Sequence, residues 1–235
     1  MVSISQELQS FLTIFQSDDP LFPFLHSEML KMIQNIGKRF LREIVYTPKL
    51  DGYIKDISDI NIGYGATEAI KKLKVVDIYQ FKKECLTFLK ELYLKLIQKF
   101  PYNNPVVKGS SCITPEIMLN QDKRENLIDL ILTEFTESNV LDFHTADSIR
   151  HDYVSMCEDN NVIEYLTSYK RGDKLDDFLF KMSGIYPTSQ NFLEFIKIIF
   201  TFFHSNAPVE RSFSINGECL VDNLEEDTNC YSACL

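Results

Sequence analysis

Glu210 and Arg211 are the residues best placed to do chemistry in this chain. They follow Ser205-Asn206-Ala207-Pro208, in which Ser205 and Asn206 are helix-capping types and Pro208 suits a first turn, where its missing N–H costs nothing. Gly217 is a natural stop. This spacing predicts a short helix with Glu210 near its start, where the positive end of the helix dipole favours an ionised carboxylate. Standing alone it reads as a helix-start acid in an ion pair or hydrogen bond, with Arg211 partnering another acid. His144, Asp147 and His151 are spaced to share one helix face and could gather a metal, although a solvated helix surface is the plainer reading. Cys219, Cys230 and Cys234, with His204, lack the paired spacing of a zinc site and read as free thiols. No cysteine sits in a recognisable nucleophile turn. Gly63-Tyr64-Gly65 is a lone GxG with neither a buried strand before it nor a Lys-Ser/Thr ending, so it reads as a loop rather than a phosphate cradle.

The elements that must position these residues are helical. Ile4, Leu8, Phe11, Leu12 and Phe15 recur at helical spacing. Leu21-Phe22-Pro23-Phe24-Leu25 then reads as an apolar connector kept non-helical by Pro20 and Pro23, with Ser27 and Glu28 opening a helix that runs to Ile44. Residues 47–76 carry no clear pattern. Asp77 is expected to cap a long helix over 78–100, which Pro101 ends, and 102–111 reads as a loop. Further helical stretches are predicted at 112–118, 127–135, 146–156 (begun near Thr145), 162–169 and from Leu175. Gly184-Ile185-Tyr186-Pro187 is the clearest break, after which Thr188 or Ser189 is expected to cap a helix too apolar for a surface, 192–200. No strand pattern stands out. The expected fold class is all-α or nearly so.

The stretch Asn206-Ala207-Pro208-Val209-Glu210-Arg211-Ser212-Phe213-Ser214 resembles the A-x-x-E-R-x-F-S signature of hAT-superfamily DNA transposases. Less specific pieces extend the resemblance: Phe11 to Gln16 with Pro20 and Pro23-Phe24-Leu25, Phe81 to Cys85, and Ser111 to Pro115. The resemblance implies two regions, 1–186 similar to the family's helical insertion and 187–235 similar to its C-terminal dimerisation region, the end of an RNase H-like domain. It implies a dimerisation signature of Asn206, Ala207, Glu210, Arg211, Phe213 and Ser214. In that family three carboxylates hold catalytic metal, and Glu210 matches the third. The first two belong to strands ahead of the insertion, where this sequence has no counterpart, so the chain is expected to be catalytically inactive, with no bound metal or cofactor. The expected role is a protein-interaction module, truncated or domesticated, that pairs with itself or with a related chain. The alternatives are one part of a split metal-dependent nuclease completed by another polypeptide, or a transposon remnant without a role. The family implies the nucleus, and the cytoplasm is the other expected location. Past Leu224 the run Glu225-Glu226-Asp227 lacks the terminal helix that the family would continue with. Without the family's central sheet, Phe195, Ile198, Ile199, Phe202 and Phe203 are expected to lack partners and to form an exposed apolar patch.

Composition bounds the same reading. The chain has 235 residues, 45% hydrophobic, with Phe 18 and Tyr 11 against Gly 8 and Pro 8, enough to bury a core. Its net charge of −10 argues against nucleic acid as a partner on its own, because such binding draws on a basic excess. The best basic clusters, Lys38-Arg39 with Arg42 and Lys71-Lys72 with Lys74, read as solvated helix surface. Six cysteines without a framework and a start lacking the pattern of a secretory signal predict an intracellular setting with reduced thiols. No stretch reaches the roughly 18 apolar residues of a membrane span, so no membrane is expected.

Overall fold

Four short polar side chains mark where helices begin. Asn104, Asn120, Asp142 and Asp159 sit at N-caps in extended backbone, and each accepts from amides one turn on: Val107 at 3.1 Å, Lys123 at 3.1 Å, Thr145 at 2.9 Å and Asn161 at 2.8 Å, respectively. These bonds satisfy donors that a helix start otherwise leaves unpaired. The computed structural model describes residues 2–16, 19–187 and 190–202. Within them lie α1 (Val2–Phe15), α2 (Phe22–Gly37), α3 (Tyr64–Ile70), α4 (Val75–Lys99), α5 (Pro105–Gly109), α6 (Pro115–Met118), α7 (Gln121–Glu137), α8 (Phe143–Glu158), α9 (Asn160–Thr167), α10 (Leu175–Met182) and α11 (Gln190–Thr201). The only β pairing among the described residues is an isolated antiparallel bridge between Leu41 and Ile54. The protein is predominantly helical, and none of its described helices is long and apolar enough to cross a membrane.

Several boundaries differ from the sequence expectation. α2 begins at Phe22, because Pro23 occupies the first turn, where proline is tolerated, so the stretch read as a connector is helical. It ends at Gly37 rather than running to Ile44. Gly37 lies against Tyr93 and Ile44, where an added Cβ would come within 2.8 Å of the Tyr93 ring, and the chain turns back there. Arg42 N then donates to Tyr53 O, and Lys55 N to Phe40 O, each at 2.8 Å. α4 starts at Val75, with Asp77 inside the first turn and not at the cap. The expected loop at 102–111 holds α5, and α8 starts at Phe143 on its Asp142 cap rather than near Thr145.

α11 sits in the middle of this arrangement. Phe192, Phe195, Ile196 and Ile199 are buried to 1% exposure or less. Phe195 meets Phe135 of α7 edge to face with ring centroids 6.1 Å apart, and Phe192 lies 6.0 Å from Tyr153 of α8. Phe202, just past the helix, stacks on Phe22 of α2 at 5.1 Å and on Phe135 at 6.0 Å. The expected exposed patch on this helix is therefore not found: α2, α7 and α8 supply the partners that a central sheet was expected to provide. Ile198 is half-buried against the same core, and Phe203 lies outside the described residues. One hydrophobic cluster runs from Ile4 through Phe40, Tyr93, Ile131 and Tyr153 to Ile199, on both sides of the expected division at 186 and 187.

Candidate functional site

The dimerisation signature, Asn206, Ala207, Glu210, Arg211, Phe213 and Ser214, lies outside the described residues, as do His204, Cys219, Cys230 and Cys234. The place from which that stretch departs is described. Phe202 is held between the first turn of α2 and the last turns of α7 by its two ring contacts, so the chain enters the signature from a fixed point on the helical body.

The other sequence candidates separate in space or stay on the surface. His144 and Asp147 are exposed on α8, and the His151 side chain is 81% exposed, its Nδ1 3.6 Å from Asp152 Oδ1. Among the described residues no group of three or more His, Cys, Asp and Glu side chains could hold a metal ion. Gly63 caps α3 at a φ of 91°, a conformation glycine adopts freely, and Tyr64 opens the helix exposed to solvent.

Cys112 and Cys157 are buried together beside Tyr153, whose hydroxyl donates to the Cys112 carbonyl at 2.7 Å. Burial pushes the Cys157 thiol up to about 12 and Cys112 well above its usual range, so both stay protonated and act as small apolar groups. The Cys85 thiol is likewise raised by burial. Tyr93 is pushed up to about 12, by burial first and by Tyr46 and Tyr102 next, and its hydroxyl donates to the Val45 carbonyl at 2.8 Å. Tyr93 and Tyr153 are thus core polar groups with their bonds made.

Arg124 is a residue the motif search passed over. Its side chain is 7% exposed, donating from Nη1 to the carbonyls of Met118 (3.3 Å) and Cys157 (3.4 Å) and from Nη2 to Glu158 Oε1 (3.4 Å). The two carbonyls close α6 and α8, so one guanidinium satisfies acceptors at two helix ends. A signal was present in the sequence: Arg124, Ile128, Ile131 and Phe135 fall on one stripe of α7, and the other three are buried apolar residues.

A groove of about 780 Å³ runs between α2, the 108–117 segment and the start of α7. His26, Lys31, Lys108 and Lys123 line it together with Glu116 and Asp122. Burial, then the charge of Lys108, lowers the His26 pKa below its ordinary 6.5, against a backbone hydrogen bond at Tyr102 that raises it. The hydroxyls in the groove are spent locally: Ser27 donates to the Phe24 carbonyl, Ser111 to Lys108 and Thr114 to Ser111. None of these three bonds is made to His26. No protein-family model, curated protein or solved structure matches the chain.

Proposed function

We propose that this chain is a transposase-derived, catalytically inactive protein-interaction module that dimerises through its C-terminal stretch. The observation that carries the proposal is the run Ala207-Pro208-Val209-Glu210-Arg211-Ser212-Phe213-Ser214, which resembles the hAT dimerisation signature. The descent of α11 from the end of an RNase H-like domain, the two-region division at 186 and 187, and a nuclear location belong to the same proposal. One feature of the folded body and one of the sequence support it. Phe202, four residues ahead of Asn206, is packed on a closed helical core. The resemblance also matches a single acid, Glu210, to a ligand set of three, and one carboxylate cannot fix paired metals for in-line phosphoryl chemistry.

Light scattering on the full chain at micromolar concentration tests the interaction. A dimer is expected, from an interface of roughly 1,200 Å² or more. A strict monomer that also captures no related chain contradicts the proposal. Inactivity is tested by Mg²⁺-dependent nicking of duplex DNA: no nicking is expected, and nicking that Glu210→Gln abolishes would make the chain an enzyme.

A further inference from the structure

The groove between α2, the 108–117 segment and the start of α7 has the volume of a small-molecule site, about 780 Å³. Its α2 wall follows from helical spacing. Pro23, His26 and Leu30 stand three and four residues apart, which puts the imidazole on one stripe of the helix between two apolar side chains. Ile117 of α6 and Leu127 of α7 add half-buried apolar surface. His26 itself is half-buried, and a backbone hydrogen bond at Tyr102 holds its ring. Lys108, exposed in the last turn of α5, is close enough for its charge to act on that ring.

Charge is not spread evenly along the lining. Lys108 is the charged side chain that bears on His26, and no carboxylate among the described residues offsets it there. Glu116 and Asp122 stand in the first turns of α6 and α7, where the helix dipole favours an ionised acid, and Lys123 follows Asp122 in sequence. Lys31 pairs with Glu28, whereas Lys108 makes no ion pair among the described residues. The His26–Lys108 end therefore offers one unpaired ammonium and one imidazole able to take up a proton, beside apolar surface. A cation is repelled there, and a neutral molecule leaves the ammonium unused. An anion bonds to both groups and offsets the Lys108 charge, which otherwise opposes protonation of His26. The chain's charge of −10 works against this only weakly, because exposed charges more than about 10 Å away are screened at 0.1 M salt. We propose that this end of the groove binds a small soluble organic anion, a carboxylate or phosphate on a short apolar body, with its charged group against His26 and Lys108 and its body along Pro23 and Leu30. The proposal is independent of the C-terminal stretch.

Proton NMR of the His26 ring in the full chain tests it, with the resonance assigned by its loss in His26→Gln. Hexyl phosphate and hexanoate are each expected to shift it saturably and to raise the pH at which it titrates. Lys108→Gln should weaken both about tenfold. Lys108→Glu should bind hexylamine in preference to hexanoate, a reversal that loss of folding cannot produce. Inorganic phosphate and hexanol, the charged group and the body alone, should each bind at least about tenfold more weakly than hexyl phosphate. Lys71→Gln, in the turn after α3, is the surface control and should change nothing. No shift, an equal shift with hexylamine in the wild type, indifference to the Lys108 substitutions, or binding of phosphatidic acid vesicles without binding of the free anions would overturn the proposal.

Discussion

Arg124 shows how a single side chain holds three elements. Its guanidinium reaches the last carbonyls of α6 and α8 from the first turn of α7. Truncation at Arg124→Ala removes both donors and leaves a cavity, and we expect a loss of about 3 kcal/mol in urea unfolding. Arg124→Met fills the space and should cost less than about half of that. Equal losses would show that the hydrogen bonds contribute nothing. His26 sets a pH dependence at the same scale. Its folded pKa lies below the ordinary 6.5, so the unfolded chain takes up the proton first as pH falls. Its contribution to stability is complete above about 6.5 and declines as pH drops below that value. The unfolding free energy of His26→Gln should therefore fall less between pH 7 and pH 5 than that of the wild type, and parallel curves would contradict the assignment.

At the scale of elements, close approach decides what the helices tolerate. α5 crosses α7 so tightly that a Cβ on Gly109 would lie 2.7 Å from Ile131 Cβ and 3.0 Å from the Ile131 backbone nitrogen. Gly109→Ala must push two helices apart, and a loss of about 1–3 kcal/mol is expected in thermal or urea unfolding. An unchanged midpoint would show that the pair can separate freely. What could be read in advance follows the same logic. The long stripes of α4, α7 and α11 were legible because apolar residues recur over several turns. The start of α2 was not, because proline reads both as a breaker and as a first-turn residue. The α5 segment was not, because five residues carry no period. The caps Asn104 and Asp142 were not picked out, because which of several polar residues caps is settled only by how the helix packs. The apolar density of α11 predicted its burial, but its partners were missed for a different reason: the family resemblance led to the expectation of a missing sheet, while the partners came from helices distant in sequence, Phe22 in α2 and Phe135 in α7. Of the candidate site, the signature was wholly a reading of sequence.

At the scale of the whole molecule, the described helices close one core, and the proposed contact lies at the C-terminal stretch that follows it. The stretch is the central claim, and sedimentation of the full chain, wild type beside Phe213→Asp, meets it most directly. The account predicts twice the chain mass for the wild type at micromolar concentration and a single chain mass for the variant, with unchanged helical circular dichroism. A wild type that sediments as one chain, or a variant that remains paired, would contradict it.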